Sequence, residues 1–257
     1  MLNFDAFDLK LDTDFIGRNF IYCDEIDSTN NYLMHTKIKN DQDGTVVFAE
    51  RQLNGKGRKD RKWYSSKDLN LTFSILLKQG INDKNINIIN LGTAVSIAMA
   101  LENLYQLKIN LKWPNDVLIN DKKAAGILVE SSSSGNKIDK LVIGVGLNVN
   151  QTSFQGTFNI PPTSVKLETG TEIDRERLLA EILNIFEEML NRIEINPEDV
   201  LNDWRNRCRM IGERIYVTDG DLEISGIFDD IDEQGFIILK TDDKKRKKIH
   251  AGDVTLR

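Results

Sequence analysis

Hydrophobic residues recur at helical spacing in two long segments of the chain. From 91 to 107, Ala, Leu, Ile and Met dominate with few helix breakers, which predicts a largely buried helix. Behind Asp174, a residue suited to an N-cap, apolar positions return every three or four residues as far as Ile193, which predicts an amphipathic helix. A shorter helix is expected to start near Pro197, in the favoured first turn, and to end at about residue 209.

Short apolar runs bounded by turn residues predict strands in the remainder of the chain up to residue 149. A short helix over 30–36, capped by Asp27 and Ser28, follows the first strand. The turn signals between the later strands, such as SSSSGN at 131–136, favour hairpins of one mixed or antiparallel sheet. The expected strands are 19–23, 45–50, 69–77, 111–112, 117–119, 124–130 and 141–149.

The pattern changes near residue 210. Four or five short alternating runs follow, separated by Asp-Gly, Gln-Gly and Ala-Gly-Asp turns and without any helical period, which is typical of a small β-barrel. We therefore predict an α+β protein with two domains. Residues 1–210 form the first, in which helices flank a mixed β-sheet, and residues 211–257 form the barrel.

Composition and charge exclude several classes of protein. A hydrophobic share of 40% and a charged share of 29% are typical of a soluble globular protein rather than a disordered, fibrous or disulfide-rich one. The N-terminus lacks a secretory signal, and no stretch approaches the ~18 apolar residues of a membrane span, so we expect a cytoplasmic protein that stays out of membranes. Two distant cysteines and two histidines cannot form a zinc site from soft ligands, and we expect no resident metal.

The segment from Gln52 to Trp63, QLNGKGRKDRKW, concentrates positive charge on a flexible loop. Five cations surround two glycines, which suits a polyphosphate, although Asp60 stands where a dinucleotide-binding motif needs a third glycine and the P-loop spacing is absent. A solvated charged loop is the alternative interpretation of this segment alone. Because such a loop buries little and its cations repel one another, we expect it to be mobile without ligand.

Two further segments have compositions suited to ligand binding. Pro114 interrupts any regular strand or helix in KWPND (112–116), so the Lys, Asn and Asp side chains of this motif are expected to project from an irregular connection. Lys123 precedes Ala-Ala-Gly, whose small residues let a ligand approach the backbone. Glycines inside the strand GVGLN (144–148) also indicate close approach of a ligand or another backbone. The alternative for KWPND is an ordinary turn, with Lys123 at an exposed strand end, and the alternative for GVGLN is a β-bulge.

Together these segments resemble the biotin protein ligases. The similarity covers nearly the whole chain, and residues 213–257 resemble the SH3-like barrel that closes members of this family. The resemblance implies an enzyme that joins biotin and ATP into biotinyl-5′-AMP, with Mg²⁺ carried by the nucleotide. Biotin then passes to one lysine of a biotin carboxyl carrier domain, as in acetyl-CoA carboxylase. The matching motifs are DSTN at 27–30, GKGRxxRxW at 55–63, KWPND, KAAGILVE from 123 and GVGLN.

The resemblance also implies the roles of individual residues. The residues that would contact biotin, its ureido ring or its carboxylate are Ser28, Thr29, Asn30, Gln52, Gly55, Lys56, Gly57, Arg58, Lys123, Gly126 and Gly144. Those that would contact ATP or the adenylate are Arg58, Arg61, Trp63, Lys112, Asn115, Lys123, Leu147 and Asn148. The catalytic candidates are Lys123, Arg58 and Asp116, of which Asp116 either accepts the proton of the incoming lysine or only positions other groups.

Several alternatives stay open at this stage. Position 56 is Lys where many relatives have Arg, which loses the planar fork of the guanidinium. The aromatic ring that covers adenine is either Phe154 or Phe158. The rival functions are a lipoate or octanoate ligase or transferase of the same catalytic fold, and a biotin sensor without catalysis. Because few residues precede the first strand, we expect a monofunctional ligase without the DNA-binding domain of some relatives, either a monomer or a homodimer.

We predict that the protein does not bind DNA. The chain has 34 basic and 40 acidic residues, a formal net charge of −6, which repels phosphate backbones. The basic run 244–248 follows two aspartates in a predicted barrel hairpin and is expected to be a solvated face. An electrophoretic mobility-shift assay at about 150 mM salt should therefore show no complex. A shifted band that selects one sequence over competitor DNA would overturn this prediction.

Overall fold

The computed structural model describes residues 1–35, 42–135 and 137–256. Thr36, the end of the first predicted helix, and Asn136, in a predicted turn, lie outside the described residues. The helices are α1 (Phe4–Asp8), α2 (Thr29–His35), α3 (Ile86–Tyr105), α4 (Val165–Thr169), α5 (Arg175–Ile195) and α6 (Pro197–Arg207). The strands are β1 (Phe20–Ile26), β2 (Val46–Gln52), β3 (Leu71–Leu77), β4 (Ile109–Lys112), β5 (Asp116–Ile119), β6 (Lys122–Ser134), β7 (Lys137–Leu147), β8 (Arg214–Asp219), β9 (Leu222–Ile231), β10 (Ile237–Lys240), β11 (Arg246–Ile249) and β12 (Asp253–Thr255).

Seven strands form one mixed sheet in the order β1-β2-β3-β7-β6-β5-β4. The β1–β2 pair is parallel and the other pairs are antiparallel, which confirms the predicted mixed sheet. The long β6–β7 hairpin lies near its middle, with Gly126 opposite Gly146. The predicted turn at 131–134 is wrong, because β6 continues through these serines to Ser134. Their exposed side chains allow the strand to run beyond the edge of the core, where only backbone pairing with β7 is required.

Helices cover both faces of the sheet. Successive residues of β2 face opposite helix layers. Val46 joins the large core under α3 and α5, whereas Val47 packs in a small cluster with Leu33 of α2 and Leu76 of β3. Helix α3 begins at Ile86 rather than at the predicted residue 91, because Ile88 and Ile89 are also buried against the core. The expectation that no stretch approaches the length of a membrane span is wrong for this helix, which is long and apolar enough to cross one. However, 67% of its 18-residue window is buried inside the protein, as in the core helix of a globular fold.

The first eighteen residues are more ordered than their acidic composition suggests. They include helix α1, which was not predicted and whose Phe7 is fully buried against Phe20 of β1. Backbone N–H groups of this segment donate to the carboxylate of Glu187 on α5, and Leu2 N donates to Glu50. Because those acceptors lie on distant elements, the local sequence pattern contains no signal for the docking.

The five strands β8 to β12 form a separate antiparallel sheet in the order β11-β10-β9-β8-β12, as predicted for the barrel. This barrel packs on the first domain through Phe228, whose ring centroid lies 6.5 Å from that of Trp204 on α6. The indole of Trp113 donates to the carbonyl of Gly235 at 3.0 Å. The turn between β4 and β5 therefore lies directly against the barrel.

A buried ion pair joins α5 to β2, the strand that ends at Gln52. Arg175 donates to both carboxylate oxygens of Glu50 at 2.7 and 3.2 Å, and to the carbonyl of Asn70 at 3.0 Å. The side chains are only 7% and 0% exposed. The pair fixes the helix layer to the strand that leads into the cation-rich loop.

We predict that Arg175→Met lowers the free energy of unfolding by about 3–5 kcal/mol, because it leaves the buried Glu50 carboxylate without its cation. Urea denaturation of parent and variant measures the loss. Arg214→Met is the control, since the ion pair of Arg214 with Asp242 is exposed and its removal should change stability far less. Equal losses in the two variants would contradict the prediction.

Candidate functional site

A cavity of about 810 Å³ opens on the face of the sheet that α2 covers. Its wall combines the start of α2, the cation-rich loop, the β4–β5 turn, the glycines of β6 and β7, the segment 154–160 and the strand β12. Two of the predicted site residues are not in this wall. Leu147 is fully buried in the core, and Gly55 is buried within the loop, against Trp63 and Gln52. The predicted residues that line the cavity are Ser28, Thr29, Asn30, Gln52, Lys56, Gly57, Arg58, Arg61, Trp63, Lys112, Asn115, Asp116, Lys123, Gly126, Gly144 and Asn148.

A network of neutral polar groups forms one end of the cavity. Thr29 donates from its backbone N–H to Gln52 Oε1 at 2.8 Å, and its hydroxyl lies 3.0 Å from the same oxygen. The hydroxyl of Ser74 on β3 lies 2.6 Å from both Thr29 Oγ1 and Asn30 Oδ1. Ser74 was missed by the sequence analysis, although it is one of two hydroxyl residues, with Thr72, in the apolar strand LTFSILL. Such a polar residue inside a fully buried strand needs a buried partner, which was the available signal.

Glycines on β7 let side chains from other elements approach the sheet closely. A Cβ at Gly144 would overlap the amide of Asn30, whose Cγ would lie 2.8 Å away. A Cβ at Gly146 would overlap the indole of Trp63, whose Cδ2 would lie 2.8 Å away. The β6–β7 register is regular at these positions, so the alternative of a β-bulge does not apply. The glycines therefore make room for one wall of the cavity.

The loop after β2 is folded back on itself. Lys56 and Lys62 form an antiparallel bridge, Gly57 N donates to Arg61 O at 2.7 Å, and Trp63 N donates to Gly55 O at 2.9 Å. The turn passes through left-handed backbone at positions 59 and 60, with φ of 54° and 59°. An aspartate at position 60 adopts this conformation more readily than most residues. The missing third glycine is thus compatible with a tight turn.

The loop cations Arg58 and Arg61 have acceptors on other elements, which the expected repulsion did not include, and the mobility of the loop without ligand stays a prediction. Arg58 donates to Asn115 Oδ1 at 3.3 Å and to the carbonyl of Gly252 at 3.2 Å. Arg61 pairs with Asp253 of the barrel. Burial lowers the pKa of the Arg58 guanidinium below its usual range, and the nearby carboxylates of Asp253 and Asp116 offset this only in part. A partly dehydrated cation of this kind favours an anionic ligand.

Asp116 lies between two ammonium groups. Lys123 Nζ is 2.5 Å from Asp116 Oδ1, and Lys112 Nζ is 4.0 Å from Oδ2. Burial lowers the pKa of Lys112, although the neighbouring Asp116 carboxylate acts in the opposite direction. The predicted irregular connection is wrong for Lys112 and Asp116, which are register partners at the facing ends of β4 and β5. Only 113–115 form the turn, since strand pairing resumes on both sides of the proline.

Two polar atoms near the other end of the cavity are buried without a hydrogen-bond partner. Asn148 donates from Nδ2 to the carbonyl of Thr163 at 3.0 Å, but its Oδ1 has no donor, and Trp63 Nε1 has no acceptor. Phe154 and Phe158 both line the cavity, so both stay candidates for the ring that covers adenine. Among the described residues, no group of three or more His, Cys, Asp or Glu side chains is placed to hold a metal ion.

Charge and shape together define what this cavity accepts. Its wall carries six basic side chains, Lys56, Arg58, Arg61, Lys62, Lys112 and Lys123, but only two acidic ones, Asp116 and Asp253. The neutral network at the α2 end is suited to an uncharged polar group. The arrangement therefore accepts an elongated ligand that is neutral at one end and anionic in the middle.

Two family models match the chain. Residues 22–148 match the biotin/lipoate A/B protein ligase family, and residues 210–257 match the biotin protein ligase C-terminal domain. The bifunctional ligase/repressor BirA of Bacillus spizizenii is 31% identical over 251 residues, which is 96% of this chain and 76% of that protein. The chain belongs to the biotin protein ligase family. The biotin–[acetyl-CoA-carboxylase] ligase of Paracoccus denitrificans is 33% identical over 76% of this chain and 83% of its own length.

Solved structures of biotin protein ligases share the fold. The biotin protein ligase of Aquifex aeolicus, determined in complex with biotin and ATP, has a TM-score of 0.82 and 31% identity over 93% of this chain and 99% of that one. These similarities confirm the predicted family, the α+β fold with its small barrel, and the biotin ligase function in preference to the rival functions. The assignments of individual residues stay predictions.

We predict that Gly146→Ala displaces the indole of Trp63, because the added Cβ overlaps that ring. The fluorescence emission of the protein should shift to longer wavelength as the indole is exposed, since the other two tryptophans are each only 1% exposed and stay in the core. Trp63→Phe provides the matched background. If the same shift appears when Gly146→Ala is made in that background, the prediction is wrong.

Proposed function

We propose that this biotin protein ligase uses the cavity to adenylate biotin with ATP and then transfers the biotinyl group to one lysine of a biotin carboxyl carrier domain. The observation that supports this most strongly is the junction of a neutral polar network with a group of partly buried cations inside one cavity. The reaction joins a neutral ring, a carboxylate and a polyphosphate. The cavity wall has a part that is complementary to each of these three groups.

The ureido ring of biotin is assigned to the network around Thr29 and Gln52. A urea offers one carbonyl acceptor and two N–H donors, which the hydroxyls of Ser28 and Thr29 and the amide of Gln52 can match. Asn30 and Ser74 hold these groups from behind, through the contacts described above. The close approach that Gly144 permits keeps this end of the cavity narrow.

The reacting phosphate is assigned to the cations beside Asp116. Attack of the biotin carboxylate on the α-phosphate brings like charges together, so fixed positive groups must offset the repulsion at that point. Lys123 is suited to the carboxylate, and Arg58 and Lys112 to the phosphate oxygens, because all three side chains line the same region. Mg²⁺ would come with the nucleotide phosphates, as it usually does where the protein supplies few carboxylate ligands.

Asp116 is assigned a positioning role in the second step. Both of its oxygens face an ammonium group, which favours holding Lys123 and Lys112 in place over accepting the proton of the incoming lysine. The buried acceptor Asn148 Oδ1 is suited to an amino group, such as that of adenine. Phe154 or Phe158 would cover the base. The cytoplasmic location and the choice between monomer and homodimer stay predictions.

One assay tests the function directly. Biotin-dependent exchange of labelled pyrophosphate into ATP occurs only when the carboxylate of biotin is adenylated. The parent protein should catalyse this exchange with biotin and not with lipoate or octanoate. Exchange that depends on lipoate or octanoate would instead favour a ligase for those acids. Binding of biotin without any exchange would favour the sensor.

We predict that Lys123→Ala and Arg58→Gly affect different steps. Lys123→Ala should suppress pyrophosphate exchange itself, because it removes the cation that holds the carboxylate. Arg58→Gly should instead remove one charge-assisted phosphate contact, worth roughly 1.5–3 kcal/mol. This corresponds to a hold on the adenylate about 10- to 150-fold weaker.

The escape of the adenylate provides the measurement. With biotin, ATP, Mg²⁺ and an unrelated protein, Arg58→Gly should biotinylate lysines of that protein more than the parent does. Equal or lower labelling, with exchange still measurable, would refute the retention role of Arg58.

A further inference from the structure

An acidic edge of the C-terminal barrel lies against the cation-rich loop. It consists of Asp219, at the end of β8, and Asp253, at the start of β12, together with the backbone carbonyls of Thr218 and Gly252. Asp253 is the register partner of Thr218, so the two strands present these acceptors side by side. The barrel edge therefore presents both carboxylates and carbonyls to the loop, and Asp253 also lines the cavity.

The edge contacts three successive cations of the loop in different ways. Arg61 forms a direct ion pair with Asp253. Lys59 Nζ lies 3.1 Å from Asp219 Oδ1 and 4.0 Å from Asp253 Oδ2, and donates to the carbonyl of Thr218 at 3.3 Å. Both cations are thus bound by barrel groups on the outer side of the loop.

Arg58 is held differently. Its guanidinium donates to two neutral acceptors, the carbonyl of Gly252 and Asn115 Oδ1, while Asp253 Oδ1 stays 3.9 Å away. The barrel therefore orients this side chain into the cavity without a close carboxylate to neutralise it. At the same time it neutralises Arg61 and Lys59, whose repulsion would otherwise push the loop open.

We propose that Asp253 is a positioning residue for the adenylation step, which keeps the loop closed and Arg58 directed at the phosphate site. This inference rests on the proposed function, and it adds the barrel edge to the machinery of the reaction. The single carboxylate of Asp253 faces Arg58, Lys59 and Arg61 together, and an amide of the same size would carry no charge to balance these cations. A network of this kind stabilises more than an isolated surface pair does.

Asp253→Asn tests the proposal. In pyrophosphate exchange, the variant should show a KM for ATP raised about tenfold, equivalent to about 1.4 kcal/mol, without a matching rise in the KM for biotin. The reason for the split is that the ureido ring is assigned to Thr29 and Gln52, whereas Arg58, which the barrel edge orients, is assigned to the phosphate. In the ligand-free protein, trypsin should also cleave after Arg58 and Arg61 faster in the variant.

Two further variants supply the controls. Asp229→Asn breaks another ion pair of the same barrel, with Arg246, and its carboxylate is 27% exposed against 26% for Asp253. It should leave both KM values and the cleavage rate unchanged. Asp253→Glu keeps the charge and should recover a large part of the ATP affinity.

Several outcomes would overturn the proposal. An unchanged or lower KM for ATP in Asp253→Asn would make Asp253 a competitor of the phosphates or a bystander. If Asp229→Asn had equal effects, or if Asp253→Glu recovered nothing, the effects of Asp253→Asn would be attributed to a loss of barrel stability instead. If the parent protein shows no biotin-dependent exchange, the proposed function fails, whereas the trypsin comparison still decides whether Asp253 holds the loop.

Discussion

The structure depends on one electrostatic constraint, which is that six basic side chains must share the wall of a single cavity. Two unit charges about 4 Å apart repel each other by roughly 4 kcal/mol near a protein surface, so the cations cannot gather without fixed acceptors. The protein meets this constraint with carboxylates, including Glu130 at 3.8 Å from Lys56, and with neutral acceptors such as the carbonyl of Gly252. Asp116 faces Lys112 and Lys123 from inside the sheet, and Asp253 faces the loop from the barrel. The ligand phosphates would then complete the balance.

The parts of the fold that the sequence predicted are those in which local pattern and final burial agree. Helix α5 follows its apolar repeat from the Asp174 cap, and the glycines at 144 and 146 occupy positions where a Cβ has no space. Helix α1 was not predicted, because the acceptors that order its flanks lie about 170 residues away on α5. The serines of β6 were assigned to a turn by composition, although backbone pairing with β7 holds them extended.

The candidate site shows the same division. Motifs within one segment, such as KGR in the loop and KWPND, identified most of the side chains that line the cavity. Groups that act from behind those side chains were missed, and Ser74 and Asp253 are the main examples. Neither lies in a segment with unusual composition, and each acquires its importance only from a partner on another element. Sequence motifs therefore identify side chains that contact a ligand more readily than side chains whose role is to position other side chains.

The contacts between the domains are of two physical kinds, and this difference gives the barrel its importance. Trp204 against Phe228, and the indole of Trp113 on the carbonyl of Gly235, are buried contacts that fix the barrel beneath the β4–β5 turn. The contacts at β12 are ionic and partly exposed, so the loop can leave them and return at small cost. The buried contacts attach the barrel rigidly to the first domain, and the ionic contacts at β12 are reversible. Asp253 therefore has a fixed position against which the loop can close. The barrel thus acts as a fixed support for the loop, because its own position does not depend on the loop.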